Sequence, residues 1–149
     1  MVGIDGSQIA VSALAEAIRL ARRERAAIHA VSVVERVPDI VWPGPGFDDP
    51  VAREQSMREA AQAALARAHD LFTLTNLAGE TSLVDAGHSD VASVLLRESH
   101  AWGADLVVLG THGRGGMERI LLGSTAESFL RNADIPVLVV PSRYKTKTK

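Results

Sequence analysis

The chain predicts an α/β fold, a parallel sheet covered by helices, and three observations predict it. Short apolar, β-branched runs alternate with longer segments of helical periodicity, the order expected of repeated strand–helix units. The run Leu106-Val107-Val108-Leu109 is apolar at every position, as a strand buried on both faces requires. That run stops at Gly110, and a glycine-rich segment with Gly113, Gly115, Gly116 and Gly123 leads from it to helix-like sequence at Ser124-Thr125.

Taken in order, residues 1–5 read as a short first strand with Asp5 at its carboxyl end, where ligands of open α/β sheets sit. Ser7 and Asp5 are both suited to cap the next helix. Residues 8–24 repeat apolar side chains at Ile9, Val11, Ala13, Leu14, Ala17, Ile18 and Ala21, an amphipathic helix laid on the sheet. Its basic end, Arg19, Arg22, Arg23 and Arg25, suits the negative end of the helix dipole. Residues 27–34 form the second strand. Residues 37–50 hold four prolines, two glycines and Trp42 and read as a loop, closed by Asp49-Pro50 as N-cap and first helical residue. A helix follows over about 51–71, with apolar positions at 57, 61, 64, 65, 68, 71 and 72. Residues 81–85 make a third strand, and Ser89 or Asp90 caps a helix running to about residue 101. The fourth strand delivers Gly110 to the sheet's carboxyl edge. Residues 135–140, bounded by Pro136 and Pro141, are a fifth strand.

Composition narrows the function classes. A length of 149 residues and 46% hydrophobic content describe one globular domain with a real core. The net charge is −2, yet the last seven residues carry four cations, leaving 12 basic and 18 acidic residues in the body. That acidic body argues against nucleic-acid binding. Residues 1–141 are therefore read as the domain and 142–149 as a basic flexible tail. No cysteine is present, so disulfide and thiol chemistry are excluded. No apolar run reaches the ~18 residues of a membrane span, and no leader pattern precedes the first strand, so a cytoplasmic protein is expected. The five histidines show no zinc-ligand pairing, and no protein-held metal site is expected.

The glycine-rich segment favours an anion. Glycines let successive N–H groups converge on one point, and a helix start adds unpaired donors and the positive end of a dipole. Together these suit a phosphate. The spacing Gly110-x2-Gly113-x9-Gly123-Ser124 is neither the dinucleotide fingerprint nor the P-loop, whose lysine is missing. Another reading of the same residues is structural: Ser124-Thr125-Ala126-Glu127 has the form of a capping box.

The spacing matches without a gap the ATP-binding signature G-x2-G-x9-G-[ST] of the universal stress protein family. The resemblance extends over nearly the whole chain, through Val2-Gly3-Ile4-Asp5-Gly6-Ser7, Ala104-Asp105 and Ile135-Pro136-Val137-Leu138-Val139-Val140. It implies a three-layer, Rossmann-like open parallel sheet of five strands in the order 3-2-1-4-5, with helices on both faces. In that family the central first strand usually begins several residues earlier. The resemblance also implies bound ATP, its magnesium carried on the phosphates. It places Asp5 against the ribose or adenine side and Val33 against the adenine ring. Leu109, Gly110, Gly113, Arg114, Gly123, Ser124 and Thr125 then surround the phosphates. Arg114 stands where the family commonly has a basic residue.

The function this implies is an ATP-binding stress-response or regulatory protein with slow hydrolysis at most. His112 lies beside the glycines, but no partner acid for it can be named. The alternatives are a nucleotide hydrolase or phosphotransferase on the same scaffold, for which Asp5 is the evident acid, and an interaction module that binds no nucleotide. A phosphoacceptor receiver domain would need paired acids after the first strand and a lysine ending the last. Neither is present. Strand 137–140, apolar and at the edge of the expected sheet, is the predicted homodimer contact.

Overall fold

The computed structural model describes residues 1–36, 49–111 and 122–141. Strands β1 (Val2–Gly3), β2 (Ile28–Val34), β3 (Gly79–Asp85), β4 (Val107–Gly110) and β5 (Val137–Val140) alternate with helices α1 (Gln8–Glu24), α2 (Pro50–Leu74), α3 (Val91–Trp102) and α4 (Ser124–Asn132). The strands form one parallel sheet in the order β3-β2-β1-β4-β5. Val2 is paired with Ala30 on one side and Val108 on the other, so the two-residue β1 is the middle of the sheet.

Local chemistry starts and stops the helices. Ser7 caps α1 by accepting the Ala10 N–H at 3.2 Å, and Arg25 ends the helix in the left-handed conformation at φ 54°. Asp49 caps α2 through the Val51 N–H at 3.0 Å, with Pro50 in the first turn. Asp90, rather than Ser89, caps α3. It accepts the Ser93 hydroxyl at 2.6 Å and the Ser93 N–H at 3.0 Å, and these bonds hold its carboxyl below the usual carboxylate range.

Strand residues alternate between two cores. Val2, Ala30 and Val108 meet Ala10, Ala13, Leu14, Ala17, Ile18 and Ala21 of α1 and Ala64, Leu65, Ala68 and Phe72 of α2. Val31, Val107 and Leu109 meet Ala92 and Leu95 of α3 and Phe129 of α4. Alanines on the first face let α1 and α2 lie close to the sheet. Phe72 and Phe129, at 2% and 0% exposed, anchor the two layers, and burial of one such ring is worth roughly 1.5–3 kcal/mol. Through its first half, residues 50–60, α2 buries no side chain. There Arg58 reaches Asp85 at the end of β3, 2.5 Å away. Among the described residues no helix is long and apolar enough to cross a membrane.

Candidate functional site

The helix after β1 packs on one face of the sheet and the helix after β4 on the other. Neighbouring β1 and β4 are therefore followed by helices on opposite faces, the arrangement that in open α/β sheets leaves a crevice at the strands' carboxyl ends. Open α/β sheets bind ligands at such a switch point.

Asp5 and Ser7 line the β1 side. The Asp5 carboxylate accepts the Ser7 N–H at 2.9 Å, bridging Gly6, whose φ of +81° is the left-handed conformation that favours glycine. This turn leaves Asp5 half-buried at the carboxyl end of β1.

On the β4 side the predicted residues divide. The side chain of Leu109 is buried in the α3/α4 layer and occupies the space a Gly3 side chain would need, so only its backbone faces the crevice. Gly110 has a packing role as well: a Cβ there would run into the Ile9 side chain of α1's first turn, with the Ile9 carbonyl carbon 3.4 Å away. Thr111 then acts as a joint. Its N–H donates to the Val140 carbonyl at 3.0 Å, and its carbonyl accepts the Gly123 N–H at 2.5 Å. These bonds hold the two ends of the glycine-rich segment together beside the end of β5. Gly113 and Arg114, and His112 with them, lie outside the described residues.

At the start of α4 the structure corrects one expectation. The capping box is not formed: Gly123 is the N-cap, in extended conformation, and no side chain caps the helix. Ser124 is the first helical residue and is exposed, Thr125 is half-buried, and the Glu127 carboxylate turns away to Arg131 at 2.8 Å. The first-turn N–H groups and the positive end of the α4 dipole are thus not engaged by a capping side chain, beside Thr111. Val33 stands near the carboxyl end of β2, its half-buried side chain packed on the α3/α4 layer and paired in register with Val84.

The structure thus brings Asp5, Gly110, Gly123, Ser124 and Thr125 to one edge, with the backbone of Leu109 between them and Val33 one strand further out. Thr111 and Ile9 were not singled out from sequence. Position 111 falls among the two unspecified residues of the signature, and Ile9 reads only as part of an apolar stripe. Among the described residues, no three acidic or histidine side chains group as metal ligands. Among the described residues the edge presents the first-turn N–H groups of α4, donors of the kind that suit an anion.

Comparison with known proteins agrees with this fold. A family model described as "Universal stress protein family" matches residues 1–141. A universal stress protein of Methanocaldococcus jannaschii is 31% identical over 140 residues, 94% of this chain and 79% of that one. A universal stress protein of Mycobacterium tuberculosis is 31% identical over 150 residues, and the match spans 99% of this chain but 50% of that longer protein. Among solved structures, a protein of the same family from Burkholderia pseudomallei is 33% identical with a TM-score of 0.73, covering 95% of each chain.

Proposed function

The chain belongs to the universal stress protein family, and we propose that it is an adenine-nucleotide-binding member, with ATP as its ligand in the crevice between β1 and β4. The observation that carries this reading is the complete signature Gly110-x2-Gly113-x9-Gly123-Ser124 between the end of β4 and a helix start with no side-chain cap. Family structures solved with cAMP, dAMP and AMP support the adenine class of the ligand. Magnesium travels on the phosphates rather than in a protein cage. Asp5 and the backbone near Val33 take the ribose and base. Leu109 contributes its backbone, and Gly110, Gly113, Gly123, Ser124 and Thr125 surround the phosphates, with Arg114 as counter-charge.

In this reading the protein is cytoplasmic and regulatory. Turnover of ATP falls far below the ~1–1000 per second of ordinary enzymes. Residues 1–141 are the binding domain and 142–149 its basic tail. Two chains pair through β5. The direct test is mass spectrometry of small molecules released from the natively purified protein. An adenine nucleotide at near one per chain is expected. Its absence, together with no thermal protection by millimolar ATP, would refute the reading.

A further inference from the structure

We propose that His29 is an acid-operated latch: while neutral it ties the amino end of β2 to β3 and α3, and taking up a proton loosens that corner of the fold.

His29 is 5% exposed, the second residue of β2, and it faces the α3 side of the sheet. Its Nε2 is 2.8 Å from the Ser82 hydroxyl of β3, and its ring lies against Trp102 at the end of α3, centroids 5.3 Å apart. Its Nδ1 is buried and meets no hydrogen-bond partner among the described residues. With hydrogen on Nε2, the neutral ring donates to Ser82 and leaves only a bare lone pair at Nδ1. A proton added there creates an N–H with no acceptor among the described residues. An unsatisfied buried donor, and still more a buried charge, destabilises the state that holds it.

The charges around the ring come from each element packed on it. Glu80 of β3, its partner in register, and Glu98 of α3 favour the proton, while the amino group of Met1 at the head of β1 opposes it. Glu98 is shared with Arg97, 4.0 Å away. The Met1 amine is engaged with the Leu106 carbonyl at 2.8 Å. Burial is the strongest of these influences and pushes the imidazole below its ordinary 6.5. In the unfolded chain the same ring protonates near 6.5. Below that pH the unfolded chain binds the proton more readily than the fold, so stability falls as pH falls and is restored as it rises.

Urea unfolding of the full chain at steps between pH 8 and pH 5 tests the latch. Below pH ~6.5 the unfolding constant of the wild type should rise by up to about tenfold per pH unit, the limit for one proton. His29→Gln, whose amide reaches toward Ser82 without titrating, should flatten that slope. His100→Gln, at an exposed histidine paired with Asp134, should keep it. NMR titration of the His29 ring in the folded wild type should give a midpoint below 6.5, and this measurement decides if the glutamine variant does not fold. A slope unchanged in His29→Gln, or a folded-state midpoint at or above 6.5, would overturn the proposal.

Discussion

Substituting alanine at Gly110 separates packing from ligand binding at the centre of the site. The new Cβ would meet the Ile9 Cγ2, with the Ile9 Cβ and carbonyl carbon both at 3.4 Å. Ile9 belongs to the first turn of α1, whose start is fixed by the Ser7 cap, so the backbone has little room to retreat. Overpacking of this kind costs about 1–3 kcal/mol, which in a chain of this size lowers Tm by roughly 3–10 °C. Ile9→Ala removes the offending Cγ2 while leaving the 3.4 Å contacts. Alone it costs about 1–2 kcal/mol, less than a fully buried truncation because Ile9 is half-exposed. The double variant should be less destabilised than the two singles together by about 1–2 kcal/mol, a coupling readable in urea denaturation. Additivity to within ~0.5 kcal/mol would refute the packing argument and leave Gly110 with only a ligand role.

Two further variants probe the helix start and the sheet edge. Ser124→Ala should change stability by less than ~0.5 kcal/mol, since Gly123 is the cap, whereas Ser7→Ala should cost ~1 kcal/mol by removing a cap that is made; comparable losses in thermal unfolding would contradict this. Val139→Pro should abolish the proposed dimer. The N–H groups of Val107 and Thr111 bond the carbonyls of Pro136 and Val140, so the N–H groups of Val137 and Val139 point away from β4, toward the open edge. Light scattering should report twice 15.9 kDa for the wild type and a monomer for the variant.

The strand order was legible only through family resemblance, because nothing local to a strand says which neighbour it takes. The caps at Ser7, Asp49-Pro50 and Asp90 were legible because a short polar side chain precedes each apolar repeat. Ser124 misled for the same reason: Gly123 can cap through its conformation alone, and a sequence pattern favours the visible hydroxyl. β3 begins at Gly79, two residues before its expected start. A glycine there weakens the strand signal, yet Phe72 fills the space its side chain would have taken. α2 continues to Leu74, beyond the expected end near 71, and stops where Thr75 turns its hydroxyl back to the Leu71 carbonyl at 2.5 Å. The readings that fall on 37–48, 112–121 and 142–149 lie outside the described residues.

The central claim is that this crevice holds ATP through the glycine signature. The measurement that tests it most directly is calorimetric titration of magnesium–ATP into the wild type, Gly113→Asp and a Gly115→Asp control. In the proposed site a carboxylate at position 113 stands beside the phosphates, a repulsion on the order of several kcal/mol in a partly dry site. About one site per chain is expected in the wild type, none in Gly113→Asp and retained binding in Gly115→Asp. No heat from the wild type, or equal loss in both variants, would contradict it.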